Sequence, residues 1–126
     1  MAQRRQTGQR DAVQQAFALA QRPLTAVEAH RLARRRAAGL GLATVYRTLA
    51  LLVEEGVLRP VPLPDGTARY ELAGLDHHHH FQCRDCGKVF DVPGCPGKLR
   101  DLTPRGFELE EHELILYGRC AACVGG

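Results

Sequence analysis

The chain has 126 residues, a formal net charge of +3 and seven aromatic side chains, none of them tryptophan. This length allows one domain or two very small ones with a modest aliphatic core, and the apolar runs are too short to cross a membrane. Residues 1–60 carry ten arginines against four acids, whereas residues 77–126 carry six basic and seven acidic groups. The amino-terminal half therefore suits a polyanionic partner, and the carboxy-terminal half does not.

Two helices are predicted first. One runs from Thr7, which can cap it, to about Arg22, with apolar residues at helical spacing. Thr25 and Glu28 form a capping box, in which a threonine accepts from the first turn and a glutamate reaches back. The second helix then continues to the arginine cluster 34–36, which a solvated helix end would explain.

A third helix is predicted from near Ala43 to Gly56, with its apolar residues on one stripe. Helix, glycine turn and helix is the helix-turn-helix pattern, in which this third helix reads DNA. Residues 57–61 and 67–72 then alternate like strands on either side of Asp65-Gly66, a strong hairpin signal. A hairpin directly behind a helix-turn-helix is a wing.

The predicted fold is therefore α+β with two parts. Residues 1–72 form a winged-helix DNA-binding domain, residues 73–76 a hinge, and residues 77–126 a small metal-binding dimerisation domain. The second part is expected to contain strands at 79–83, 88–92 and 107–117 and a short helix at 98–102.

Two Cys-x-x-Cys motifs frame the second part. Each supplies two sulfurs from one tight turn, which predicts a closed structural Zn(II) site of Cys83, Cys86, Cys120 and Cys123. Disulfides within each motif are the alternative, but their rings would be small and strained. The amino terminus has no apolar core typical of a secretory segment, and the composition fits a reducing, cytoplasmic location. The histidines at 77–80 then remain as ligands for a second metal.

Four sequence motifs occur in an order that agrees with this architecture. They are Gly41–Leu49 in the third helix, Arg69–Leu72 in the wing, His77–Cys86 with the following Gly-Lys, and the segment 112–120. With these motifs the chain resembles the ferric uptake regulator family of metal-responsive repressors over nearly its whole length. The resemblance implies a homodimer, not an enzyme, that binds double-stranded operator DNA when loaded with a divalent metal. It also implies that the protein has neither a membrane nor a small-molecule substrate as a partner.

The resemblance also points to Tyr46 and Arg47, on the exposed face of the third helix, as contacts to bases or backbone. A tyrosine can stack against a thymine methyl, and an arginine can bind guanine or a phosphate. A half-buried core aromatic is the alternative for Tyr46. The predicted DNA-binding residues are Thr44, Tyr46, Arg47, Arg10, Arg4 and Arg5.

Side-chain alternation along a strand divides the four histidines between two faces. By the resemblance, His78 and His80 join Glu71 and Asp91 in a regulatory metal site. Because Glu71 belongs to the DNA-binding half, a metal ion there would fix the angle between the halves. That angle sets the half-site spacing of the two reading helices in a dimer.

A possible second regulatory site uses the other face of the same strand. It joins His77 and His79 to His112, and the family usually adds an acid. This chain is shorter there and offers no clear glutamate, so Cys95 is the nearest donor. A small buried apolar residue is the alternative for Cys95.

The sensed metal is predicted to be zinc. Many relatives have a metal-binding histidine at the start of the second helix, where this chain has Arg22, Pro23 and Leu24. Four protein ligands suit tetrahedral Zn(II) better than five- or six-coordinate iron. An iron-, manganese- or peroxide-sensing regulator is the alternative. A constitutive nucleic-acid-binding zinc ribbon and a small zinc enzyme are remote alternatives, and no HExxH motif supports the enzyme.

Overall fold

The computed structural model describes residues 2–95 and 98–126, without the side chains of residues 2–6. The chain divides into two compact units, residues 1–74 and 75–126. In the described part, no helix is both long and apolar enough to span a membrane. The elements are α1 (Ala2–Ala20), β1 (Leu24–Thr25), α2 (Ala26–Ala33), α3 (Leu42–Glu54), β2 (Leu58–Val61), β3 (Arg69–Leu72), β4 (His78–Cys83), β5 (Val89–Pro93), a 3₁₀ helix (Leu99–Leu102), β6 (Ile115–Gly118) and α4 (Ala121–Gly125).

The three helices of the first unit pack around a mainly aliphatic core that contains Phe17. Val13 and Phe17 are four residues apart in α1, and Val45 and Leu49 are four apart in α3; all four are almost completely buried. This spacing places each pair on one face of its helix. Burying a side chain of this size stabilises the fold by about 1.5–3 kcal/mol.

The boundaries of α1 differ from the prediction, because the helix begins at Ala2 and Thr7 lies inside it. The residues before Thr7 are mostly good helix formers, which allow the helix to extend towards the amino terminus. The helix ends at Ala20, and the next residue, Gln21, has a left-handed backbone with φ of 53°. Its N–H still donates to the carbonyl oxygen of Phe17 at 3.1 Å, as in a common helix stop.

The capping box of α2 is confirmed. The N–H of Glu28 donates to the Thr25 hydroxyl at 3.1 Å, and the N–H of Thr25 donates to the Glu28 carboxylate at 3.0 Å. These bonds satisfy two backbone donors that the first turn leaves without partners. They fix the start of the helix-turn-helix.

The predicted wing is confirmed as an antiparallel pair of β2 and β3, with β1 on the other side of β3. Arg59 lies opposite Glu71 in this register. Gly66 takes a φ of 76° in the connecting loop, a conformation that glycine adopts without strain. With the three helices, this sheet completes the predicted winged helix.

The second unit is a three-stranded sheet with β4 in the centre, antiparallel to β5 and parallel to β6. The strand predicted at 107–117 is wrong in its first part, because only Ile115–Gly118 pairs with a neighbour. Phe107, at the start of the predicted strand, is 71% exposed. The helix predicted at 98–102 is a 3₁₀ turn, and α4 is an additional short helix.

Candidate metal centres and nucleic-acid interface

The four cysteines of the two Cys-x-x-Cys motifs converge on one point. The Sγ atoms of Cys83 and Cys123 are 3.7 Å apart, and those of Cys86 and Cys120 are 3.8 Å apart. Sulfurs bound at about 2.3 Å to one tetrahedral zinc ion are about 3.8 Å apart, whereas a disulfide requires about 2.05 Å. The geometry therefore fits a tetrathiolate zinc site and not disulfides.

Backbone geometry prepares Cys83 to bind a cation. The N–H groups of Cys86 and Cys120 donate to its sulfur at 3.4 and 3.3 Å, and they lower the pKa of the Cys83 thiol to about 6. Contacts with Cys120 and Cys83 raise the pKa of Cys123 to about 12. Four thiolates this close repel one another, so full ionisation of the set requires a bound cation.

The tight turn of the first motif is formed by Gly87, whose φ is 77°. Its N–H donates to the Cys83 carbonyl oxygen at 3.0 Å, and the N–H of Cys83 donates to the Lys88 carbonyl oxygen at 2.9 Å. A side chain at this φ would strain the turn. In the second motif, Cys120 precedes α4 and accepts from the N–H of Val124 through its carbonyl oxygen at 2.9 Å.

The predicted division of the four histidines is visible in their ring contacts. The rings of His77 and His79 lie 4.6 Å apart between centroids, and those of His78 and His80 lie 4.9 Å apart. Each pair consists of alternate residues on β4 and its amino-terminal extension. The strand therefore offers two imidazoles on each face.

Asp91 completes one of these faces within the second unit. It lies directly opposite His80 in the β4–β5 register, and its Oδ1 is 3.4 Å from His78 Nε2 and 3.6 Å from His80 Nε2. His78 Nδ1 is 2.7 Å from the carbonyl oxygen of Asp76, which can only accept, so Nδ1 carries the proton. In the neutral ring Nε2 then presents a lone pair to a carboxylate. A proton on Nε2 or a bound metal ion would each satisfy this pair of acceptors.

Glu71, the fourth predicted ligand of the regulatory site, lies in the first unit on β3. Its side chain is only 3% exposed, and Oε1 accepts from Arg59 Nε at 2.8 Å and faces the terminal guanidinium nitrogen at 2.7 Å. A buried carboxylate is costly unless it is paired. Arg59 therefore supplies a charged partner for the buried Glu71 carboxyl inside the first unit.

The other face of the histidine strand brings together His77, His79, Cys95 and His112. One donor atom from each residue lies within 4.8 Å of those from the other three. The His112 ring is 5.1 Å from the rings of both His77 and His79, and its Nε2 is 3.0 Å from Cys95 Sγ. Cys95 is exposed, so the alternative of a small buried apolar residue does not fit.

His79 is the buried member of this second cluster, with 2% of its surface exposed. Burial lowers its pKa, and the neighbouring His77 and His112 lower it further, so the ring is neutral at neutral pH. Nδ1 accepts from the N–H of Leu114 at 3.1 Å, while the buried Nε2 has no partner among the described residues. An unpaired buried nitrogen on a residue of such a cluster fits a metal-ligand role.

Helix α3 presents the predicted DNA-reading residues. Tyr46 is 51% exposed and Arg47 is also exposed, whereas Val45 and Leu49 on the opposite face are buried. About half of the Tyr46 surface is therefore open to a partner on the outer face. Arg47 donates to the Thr44 hydroxyl at 3.0 Å, which orients the guanidinium on the outer face of the helix.

Of the three arginines predicted to reach DNA from α1, Arg10 is the one whose side chain the structure describes. Arg10 pairs with Glu55, just beyond α3, and this contact lowers the pKa of the Glu55 carboxyl. The side chains of Arg4 and Arg5 lie outside the described residues. To bind DNA, Arg10 would have to leave Glu55 and pair with a phosphate instead.

Two residues in these sites were not identified from the sequence. Arg59 binds Glu71 from the neighbouring strand, and Leu114 binds His79 from the segment before β6. Both contacts join positions that only strand register brings together. An exposed arginine and a leucine carry no local signal of such roles.

A helix-turn-helix with a wing, followed by a unit that contains a tetrathiol cluster and an imidazole-rich strand, defines a winged-helix protein with candidate metal-binding clusters. The model of the ferric uptake regulator family matches residues 1–117. The chain belongs to that family.

Individual relatives agree with this assignment. The ferric uptake regulation protein of Bordetella parapertussis is 39% identical over 90 residues, which are 69% of this chain and 65% of that protein. The match thus covers slightly less than two thirds of the relative. A zinc-bound manganese uptake regulator superposes with a TM-score of 0.76 and 27% identity, covering 89% of this chain and 87% of that one. A zinc uptake regulator complexed with zinc and DNA gives 0.55 and 29%, covering 93% and 81%.

Proposed function

We propose that this chain is a metal-responsive, DNA-binding transcriptional repressor that controls metal uptake and homeostasis genes and senses zinc. The observation that carries the proposal is the four-histidine strand, which offers imidazole pairs on both faces in the unit that follows a DNA-reading winged helix. The tetrathiolate cluster is then the structural zinc site, and the two imidazole faces are the sensing sites.

The regulatory site is proposed to contain Glu71, His78, His80 and Asp91. His78, His80 and Asp91 already face one another in the second unit, and Glu71 is a buried carboxylate on the wing. A metal ion that binds ligands from both units would fix their relative orientation. Such coupling between metal and DNA binding is typically about 1–3 kcal/mol.

Zinc is favoured by the donor set of nitrogen and carboxylate oxygen with four protein ligands. The similarity to a zinc uptake regulator bound to zinc and DNA supports this choice. Iron or manganese is the second candidate, because a relative is named a ferric uptake regulation protein and another a manganese uptake regulator.

A homodimer on double-stranded operator DNA is the proposed active form. Leu102, Phe107 and Leu109 are exposed apolar side chains of the second unit, at 77%, 71% and 42%. Apolar surface of this kind suits an interface between copies. The structure of a similar zinc uptake regulator in complex with DNA supports DNA as a partner.

The deciding experiment is a metal titration of DNA binding by protein whose cysteine site is already loaded with zinc. Zn(II), Mn(II) and anaerobic Fe(II) are added separately while fluorescence anisotropy follows a labelled duplex selected from a random pool. Zn(II) is expected to raise the affinity at the lowest free concentration. Equal affinity with and without every added metal would instead identify a constitutive zinc ribbon.

Arg47→Ala is expected to weaken DNA binding by about 1–3 kcal/mol, because an alanine on the outer face of α3 cannot make the base contact of the guanidinium. Metal affinity of the free protein should not change, since Arg47 is none of the predicted metal ligands and its side chain donates to Thr44 in the same helix. Anisotropy isotherms and a metal titration measure the two quantities. The exposed Arg105 in the second unit, changed to alanine, is the control. A wild-type isotherm for Arg47→Ala would place DNA recognition on another surface.

Cys95→Ser is expected to loosen only the second cluster, because a soft thiolate is exchanged for a weak hydroxyl ligand. In cobalt-substituted protein, the thiolate-to-metal charge-transfer absorption should exceed what the four motif cysteines produce. The serine variant should lose that increment and retain the rest. An identical cobalt spectrum and metal stoichiometry in the variant would exclude Cys95 as a ligand.

A further inference from the structure

Arg31, Arg34 and Arg35, referred to below as the α2 arginine cluster, surround one shallow depression at the end of α2. The depression has a volume of about 240 Å³, and Ala38 is its remaining lining residue. All three arginines are exposed. Three guanidinium groups around one concave surface form a strongly positive patch.

The cluster differs from the other arginines of the first unit in its partners. The structure pairs four arginines with acids there: Arg10 with Glu55, Arg22 with Glu28, Arg59 with Glu71 and Arg69 with Asp65. Among the described residues, the three members of the cluster have no acidic partner and no side-chain hydrogen bond. Their positive charge is therefore not neutralised within the described part of the protein.

The backbone that carries the cluster is held in place by hydrogen bonds. The N–H of Arg35 donates to the Leu32 carbonyl oxygen at 3.2 Å, and that of Arg34 to the His30 carbonyl oxygen at 3.0 Å. His30 Nε2 lies 2.7 Å from the carbonyl oxygen of Leu40, so the side chain ties α2 to the end of the turn. Helix α3 begins two residues later, at Leu42. The cluster thus lies on a fixed turn that leads into the reading helix.

On the basis of the function proposed above, we propose that Arg31, Arg34 and Arg35 bind phosphates of the DNA strand that borders the groove occupied by α3. In helix-turn-helix proteins the helix before the reading helix crosses the backbone. Phosphate contacts of this kind add affinity without sequence preference and position the reading helix. An acidic protein surface is the competing partner, and it would leave DNA binding unchanged.

The test is the triple variant Arg31→Gln, Arg34→Gln, Arg35→Gln, which removes three charges and retains polar side chains. Binding to a short random-sequence duplex and to the duplex selected by zinc-loaded wild type is measured over a series of KCl concentrations. The variant should bind both duplexes more weakly than wild type, and the affinity should fall by the same factor for each. The slope of log affinity against log salt should fall in magnitude by about 0.9 for each phosphate that the variant no longer neutralises.

Lys98→Gln, Arg100→Gln, Arg105→Gln is the charge-matched control, because these residues lie in the second unit. It should retain the wild-type salt slope. Circular dichroism confirms folding, and the single variant Arg35→Gln provides a smaller step if the triple variant is unstable. A wild-type slope in the α2 variants, or a loss confined to the selected duplex, would overturn the assignment. Failure of the proposed function is separate: wild-type protein would then gain no DNA affinity on metal addition.

Discussion

Cys83→Ser is expected to unfold residues 75–126 while residues 1–74 keep their structure. Cys83 is completely buried, and its sulfur accepts two backbone N–H bonds in addition to facing the other three thiols. In zinc-finger peptides, structural zinc supplies an apparent binding free energy of about 10–16 kcal/mol, which becomes folding free energy. The second unit has a small core and depends on this contribution. The first unit has its own buried core and does not.

The measurements are zinc content, circular dichroism and light scattering. The variant should contain no zinc at the cysteine site and should no longer form a dimer. Cys95→Ser is the matched control, because Cys95 lies outside the Cys-x-x-Cys motifs and its replacement should leave the fold intact. An intact dimer of Cys83→Ser without bound zinc would refute the structural role of the site.

His80→Ala is expected to leave the dimer folded and to remove most of the metal dependence of DNA binding. His80 Nε2 faces Asp91 at 3.6 Å and contributes nothing to the cysteine cluster. A coupling free energy of about 1–3 kcal/mol corresponds to a roughly 5- to 150-fold loss of DNA affinity at limiting metal. Anisotropy at low free zinc measures the loss, and light scattering checks the dimer.

His77→Ala is the control for this prediction, since His77 lies on the opposite face of the same histidine strand. Because its cluster lies within the second unit, its removal should change DNA binding much less. Unchanged operator affinity of His80→Ala at limiting metal would contradict the proposed clamp. A larger loss of metal-dependent DNA affinity in His77→Ala than in His80→Ala would assign the regulatory role to the cluster on the other face.

The parts of the structure that sequence predicted well are set by local rules. The capping box at Thr25 follows from three-residue spacing. The division of the histidines follows from the two-residue period of a strand. In such patterns the spacing of residues along the chain determines which groups meet, so a single sequence is enough to predict the contact.

The errors arose where the outcome depends on a distant segment. The strand predicted over residues 107–114 does not form, because a strand needs a neighbour with which to pair, and in the β4–β6 ladder only Ile115–Gly118 pairs with β4. The contact of Arg59 with Glu71 likewise depends on the register of β2 and β3. Periodicity describes one segment at a time and carries no information about its partner.

The hydrogen bond from Leu114 to His79 has a consequence for the second cluster. If a metal ion were to take Nδ1 of His79, the Leu114 N–H would lose its acceptor directly. If the ion took Nε2, the proton of the neutral ring would move to Nδ1, which could then no longer accept. In both cases the Leu114 N–H, immediately before β6, loses its hydrogen bond to His79. The exchange rate of this one backbone proton with solvent deuterium would therefore record the occupancy of a site that has no colour with zinc.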